Sequence, residues 1–374
     1  MSQTRDRDLL WPADNKACMN QNEIRSITKK GILAPSADNL QPWKFRLGEN
    51  QVDLFLDPEH AKNFCDEGYA VSHLSAGAVI ENMRVASAQM GYWLSPSYFP
   101  EKGNPAWVAT MRFTPMEQQG HPHFPVLEAR TTNRKFYHVR RKIDMSTYSK
   151  LEQMVESEKG FKLKWLKKGS SSYSKLCRLI GKADQIRFEN ERLHRELFET
   201  LRYNQEEVQK TKDGLDLKTF ETGYGGAVLF KLIASWKRLK ILNFFGMSRL
   251  LNFYSQLQLW SSQAAGLITA ASQAPLDYVL GGEIMEKVWH EITRSGLALQ
   301  PMEALPIFII NFNLTGGAGF TENQKKKLQE LKREFYPLFG LKDHNALILL
   351  FRIGYAAPPT ACSLRRPLES FLTP

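Results

Sequence analysis

The sequence predicts an α+β fold. Three features carry that expectation: alternation of apolar and polar residues on both sides of a short turn near residue 48, long helical patterns through the middle, and two strongly strand-like runs near the end. Strands and helices follow one another without a regular strand–helix–strand rhythm, which disfavours a doubly wound parallel sheet. At 374 residues, 43% hydrophobic and 24% charged, the chain is long and apolar enough to bury a core as one large domain or two ordinary ones.

Taken in order, NQNEIRSITKKGILA at 20–34 has Ile24, Ile27 and Ile32 at helical spacing and predicts a helix ending near Ala34. Pro35 and the run SADNLQP then force a loop. WKFRL and VDLFLD, separated by GEN, read as a β-hairpin. SHLSAGAVIENMRVASAQMG at 72–91 is a helix rich in small residues for close packing, and WVATMRFTP at 107–115 a further strand. The polar junction MEQQGHPHFPV leads into a short helix, the loop RTTNRKFY, and a helix with Ser146 or Thr147 as N-cap. Residues 186–208 read as a charged helix, 214–226 as a loop, and 227–262 as basic, aromatic-rich helices. AGLITAAS predicts a short strand, and GGEIMEKVWHEITRSG a helix closing on Gly296. ALPIFIINFNL and ALILLFRIGY read as strands on either side of a Lys/Glu-rich helix at 322–335.

The 50 Lys and Arg against 39 Asp and Glu give a net charge of +11, which favours phosphorylated cofactors, nucleic acid or anionic lipid. No RNP-like, zinc-finger or Arg-Gly-rich pattern is present, so no nucleic-acid partner is expected. Cys18, Cys65, Cys177 and Cys362 are scattered without CxxC spacing, which argues against structural zinc or a disulfide framework and suits a reducing cytoplasm. The opening MSQTRDRDLLWPADN lacks the apolar run of a signal peptide. AVLFKLIASW at 227–236 is broken by Lys231 and falls short of the roughly 20 residues a membrane span needs. KLIASWKRLKILNFF combines basic and aromatic faces, as a membrane-surface helix would. Core packing is the preferred reading, with a soluble cytoplasmic protein and no stable membrane association expected.

RTTNRKFY at 130–137 gathers three cations, two hydroxyls and an amide: a solvated basic turn, or a site for an anion. Arg offers a planar fork of donors and Thr a short one, the combination that grips a phosphate monoester. Other candidates are weaker. The His121–His123 pair in HPH has no carboxylate or thiol at ligand spacing and reads as a surface loop, with no metal site expected. TGGAGF at 315–320 lacks the spacing of a dinucleotide loop. Glu283, Glu286 and Glu291 read as solvated helix positions, and Cys65 has no neighbouring base to activate it.

The segment RTTNRKFYHVRRKIDMSTYSKLEQM resembles the opening of the FMN-dependent nitroreductase family, where an R-x-S-x-R motif precedes an aromatic and a helix. The matching positions here are Arg130, Thr132 and Arg134, with Thr in place of Ser. SLRRPLESF at 363–371 is similar to the family's C-terminal phosphate-side segment, with Arg365 as the match and Arg366 as the near alternative. APSADNLQPWKF at 34–45 resembles the family's APSxxNxQPW loop, which implies that Pro35, Ser36, Asn39 and Gln41 line the flavin while Trp43 anchors the loop.

In ordinary members the Arg motif precedes the loop; here it follows. That order resembles the Acg-like branch, and implies two diverged nitroreductase-like halves fused as a pseudo-dimer. The expected N-terminal half is 1–125, supplying the loop. The C-terminal half is 126–374, supplying the phosphate clamp, with a lid-like excursion at 216–262. The resemblance implies one FMN per chain and ping-pong hydride transfer from NAD(P)H to a small nitro or quinone acceptor. The flavin performs the chemistry, so no catalytic side chain is expected. It also implies a monomer, with a homodimer as the alternative. The excursion leaves open a flavin-sequestering or sensory protein without turnover.

Overall fold

The computed structural model describes residues 19–61, 66, 68–117 and 120–373; the opening MSQTRDRDLLWPADN and Cys65 lie outside them. Helix α1 (Gln21–Gly31) starts from a capping box, in which Asn20 accepts from the backbone of Glu23 and the Glu23 carboxylate reaches back to the N-cap amide. The hairpin β1 (Trp43–Leu47) and β2 (Gln51–Leu56) forms as its alternation requires. Then come α2 (Ala70–Gln89), β3 (Tyr92–Tyr98) and β4 (Trp107–Pro115), and the antiparallel sheet runs β1-β2-β4-β3. β3 was not legible in the sequence because it holds Pro96, which an edge strand tolerates.

A second unit repeats this plan. Helix α3 (Met145–Glu156) precedes β5 (Phe161–Lys167). An insertion follows, consisting of α4 (Ser171–Glu189), α5 (Glu191–Thr200), β6 (Leu201–Arg202), α6 (Gln205–Thr211), β7 (Leu215–Asp216), α7 (Gly223–Ile233), α8 (Trp236–Phe244) and α9 (Met247–Ser261). Then come β8 (Ala264–Ala270), α10 (Pro275–Arg294), β9 (Ala298–Pro301), α11 (Ala304–Thr315), α12 (Glu322–Phe339) and β10 (Ala346–Gly354). The second antiparallel sheet runs β5-β8-β10-β9, the same order of first, second, fourth and third strand, with a 20-residue helix between second and third. The tail returns to the first sheet, where Leu372 bridges Phe45 in parallel.

Several sequence expectations need correction. ALPIFIINFNL is helix α11, not a strand, since an unbroken apolar run has no period to separate a buried helix from a strand. The N-cap of α3 is Asp144, and the segment before RTTNRKFY is a single short 3₁₀ turn rather than a helix. The charged stretch 186–208 breaks into α4, α5 and α6, and the insertion occupies Ser171–Ser261, much longer than 216–262. The loop at 214–226 contains β7, a 3₁₀ turn and the start of α7.

The units meet where α2 crosses α10. A Cβ on Gly77 would stand 1.9 Å from the Val279 carbonyl oxygen, and one on Gly282 would stand 2.0 Å from that of Leu74. Only glycine lets the two backbones approach so closely. Glu283, Glu286 and Glu291 of α10 are buried, contrary to their solvated reading. Arg84 of α2 bonds both Glu81 and Glu283, and the Tyr98 hydroxyl donates to Glu283 at 2.5 Å. Burial nevertheless dominates, raising the Glu283 carboxyl and pushing Glu81 up to about 7. Glu291 differs: burial would raise it, but hydrogen bonds from Arg294, Lys150 and His123 hold it at about 2. His123 is thus a buried partner of Glu291, at 3.2 Å, and not part of a surface loop.

Candidate functional site

A cavity of roughly 800 Å³ opens between the two units, within the range of cofactor pockets. Its wall collects Pro35, Ser36 and Asn39 from the loop after α1, Arg130, Thr132 and Arg134 from the segment before α3, and Arg365 from the tail. Helices α4, α7 and α9 of the insertion close it, and the β9–α11 junction contributes Met302 and Glu303. Seven of the eight sequence-derived site residues therefore line one space. Gln41 does not.

Gln41 instead locks the loop. Its amide donates to the carbonyls of Lys212 and Asn39 at 3.0 and 3.2 Å and accepts from the Arg366 backbone at 2.9 Å. Asp38, Asn39 and Gln41 all adopt left-handed backbone, with φ of 47°, 56° and 55°, a conformation costly outside glycine and tolerated best by Asn and Asp. Side chains hold that strain in place. The Ser36 hydroxyl accepts from the Gln41 amide at 2.9 Å, and Asn39 donates to the carbonyls of Gly214 and Leu364, each at 3.0 Å.

Arg365 is a second lock. It donates to the carbonyls of Ile32, Leu33 and Ala34 at 3.0, 3.1 and 2.9 Å, and to Asn39 Oδ1 at 2.8 Å. These are carbonyls at the C-terminal end of α1, where a cation is favoured. Burial and the neighbouring Arg130 charge push its pKa down to about 9. Arg366 points elsewhere, to His60 and the Gln41 carbonyl, and does not line the cavity.

Arg130 is buried. Its Nε lies 2.8 Å from the Glu286 carboxylate, its Nη2 donates to the Leu33 carbonyl at 2.8 Å, and its guanidinium stacks over Trp289 at 4.7 Å. Burial would raise the Glu286 pKa, but Arg130 and His290 hold it below the ordinary carboxylate range. With its amide oxygen turned to accept from the Ala34 backbone at 3.0 Å, Asn82 donates to Glu286 at 3.1 Å. The side chains of α2 and α10 thus fix both Arg130 and the loop.

Arg134 is placed differently. Among the described residues its guanidinium makes one hydrogen bond, from Nη1 to the Thr219 carbonyl at 3.3 Å, and lies over the Phe220 ring at 5.2 Å. Among the described residues no carboxylate lies within ion-pair distance of it. Burial pushes its pKa down to about 10, with Asp38 opposing. The Thr132 backbone bridges Leu299 of β9, and its hydroxyl makes no hydrogen bond to the described residues. The rest of RTTNRKFY is fastened by Arg352 of β10, wholly buried, which donates to the Lys135 carbonyl at 2.7 Å and stacks over Tyr137 at 3.9 Å.

The sequence reading missed Glu303, Arg187, Asp184 and Trp289. Glu303 accepts from the Leu350 amide at 2.9 Å, and burial pushes its carboxyl up to about 8. Its only sequence signal is an acidic residue between strand and helix, which is ordinary capping chemistry.

No protein-family model matches the chain. It is 25% identical over 347 residues to the uncharacterized protein MT1398 of Mycobacterium tuberculosis, covering 91% of this chain and 47% of that protein. It is 32% identical over 100 residues to the M. tuberculosis protein provisionally named NAD(P)H nitroreductase acg, covering 26% of this chain and 30% of that one. The chain thus spans less than half the length of these relatives. Among solved structures, the FMN and NADPH-dependent nitroreductase NfnB from Sphigopyxis sp. strain HMH aligns with 67% of this chain and 97% of its own, at a TM-score of 0.39 and 12% identity. In part of its sequence the chain is thus similar to mycobacterial proteins named as nitroreductases, and its own fold is α+β. The chain is also 26% identical over 116 residues to the M. tuberculosis protein provisionally named NAD(P)H nitroreductase Rv3131, covering 30% of this chain and 34% of that one.

Proposed function

We propose that the cavity holds one FMN and that the chain is a nitroreductase-type oxidoreductase, taking electrons from NAD(P)H and passing them to a small nitro or quinone acceptor. One observation carries the reading: among the described residues Arg134 is a half-buried cation facing the cavity with no carboxylate within ion-pair distance, beside a Thr132 hydroxyl that makes no hydrogen bond. A charge partly withdrawn from water is costly unless it is compensated, and a phosphate monoester would compensate this one. The donor set fits FMN. The names of the mycobacterial relatives support the same reading.

Arg134 and Thr132 hold the phosphate. Arg130 and Arg365 act mainly by positioning, since Glu286 and the α1 carbonyls already occupy most of their donors. Pro35, Ser36 and Asn39 present a rigid wall to the cofactor, and Gln41 keeps that wall in shape. Bound here, FMN would supply the hydride chemistry. The protein supplies orientation and keeps water out with α4, α7 and α9. The two units of equal strand order are diverged halves of one duplicated ancestor, the first giving the loop and the second Arg134.

Purified protein should show a flavin absorbance band that bleaches under anaerobic NADH or NADPH and recovers with a quinone. Arg134→Ala should bind FMN roughly ten- to hundred-fold more weakly in fluorescence titration, the effect of losing a charge-assisted hydrogen bond. Full flavin occupancy in that variant would overturn the assignment. The insertion over the cavity also favours a second reading, a flavin-sequestering protein. A band that ignores both nicotinamides and yields to dithionite would select it.

A further inference from the structure

Most of the chain's exposed large apolar side chains fall between Tyr224 and Trp260, on the consecutive helices α7, α8 and α9. Tyr224, Phe244 and Phe245 are 89%, 87% and 78% exposed, and Val228, Leu232 and Ile241 are exposed as well, none of them lining the cavity. KLIASWKRLKILNFF packs into a buried cluster by one face only, through Ile233 and Leu239, and its other face is exposed. The inward faces are already satisfied: Phe230, Ile233 and Leu239 pack with Phe188, Leu197, Phe198 and Leu217 in a cluster of their own. The outer side chains therefore add nothing to the core. Apolar surface left exposed in this way marks an interaction site.

Charge identifies the partner. From Thr222 to Leu276 the sequence has no Asp or Glu, while Lys231, Lys237, Arg238, Lys240 and Arg249 lie within the same three helices. All five are exposed, and none is ion-paired with a carboxylate of the described residues. We propose that α7–α9 form a docking face for an anionic bilayer surface, the Phe, Leu and Ile side chains entering the headgroup boundary and the five cations meeting lipid phosphates. Interfacial helices bind by this combination of apolar area and basic charge. A second copy fits poorly, because a two-fold contact would bring like charges together. An oligonucleotide would leave the aliphatic residues unused. Among the described residues no helix is long and apolar enough to cross a membrane, so the contact is peripheral.

The test is flotation of the full chain with vesicles of phosphatidylcholine alone or with about one third phosphatidylglycerol. The expected result is capture by the anionic vesicles only, weakened by high salt. Both the Phe244→Ser/Phe245→Ser and the Lys237→Gln/Arg238→Gln variants should lower capture roughly ten-fold or more. Circular dichroism would check that they fold, as expected for changes at exposed positions. Failure of the unaltered chain to float, or equal capture of the variants, would overturn the proposal. So would a patch variant that alters the sedimentation of concentrated protein, or binding of a single-stranded oligonucleotide, while vesicles are ignored.

Discussion

Glu303 shows how one side chain ties the cavity to pH. It caps the free Leu350 amide beyond the end of the β9–β10 ladder, and burial pushes its carboxyl from 4.5 to about 8. Below pH 4.5 the carboxyl is protonated in both folded and unfolded chains. Between 4.5 and 8 only the folded chain keeps the proton, so stability falls as pH rises through that window and levels above it. Glu303→Gln keeps an acceptor for Leu350 but cannot ionise. Urea unfolding should show the variant gaining on the unaltered chain as pH rises from 5 to 8, by on the order of a few kcal/mol. An unchanged difference across that range would mean that Glu303 ionises freely. Arg130 and Arg134 were equivalent as letters in RTTNRKFY. Glu286, far along the chain, makes Arg130 a paired cation and leaves Arg134 the unpaired one.

Among the elements, the α2–α10 crossing sets the distance between the units and hence the width of the cavity. The small residues of SHLSAGAVIENMRVASAQMG signalled close packing, but not the partner helix. Gly282→Ala would put a methyl group about 2.0 Å from the Leu74 carbonyl oxygen, and the helices would have to move apart. Overpacking of this kind should cost about 1–3 kcal/mol in chemical denaturation. A neutral effect would show that the crossing can yield. The strands legible in the sequence were those with clean alternation or strong apolar character, such as β1, β2 and β10. β9 stayed hidden because it has only four residues, and α11 was misread because burial on several sides erases helical periodicity.

For the whole molecule, the repeated strand order and the tail returning to β1 mean that one chain supplies both sides of the cavity. Under the proposed function the stoichiometry should be one FMN per chain, in a particle that sedimentation finds monomeric at low concentration. Two flavins per chain would require a second anion grip, and the first unit has no counterpart to Arg134 among its described residues lining this cavity.

The sequence by itself determined the α+β class, the hairpin, the long helices, and which short segments carry the donors. Those are local properties: periodicity, turn residues and the chemistry of individual side chains. The tertiary structure alone decided that residues 35–39, 130–134 and 365 face one space, that the α10 carboxylates are buried against arginines, and that the basic aromatic helices lie outside the core. Burial and ion pairing depend on what packs opposite a residue, and that partner lies hundreds of positions away in the chain.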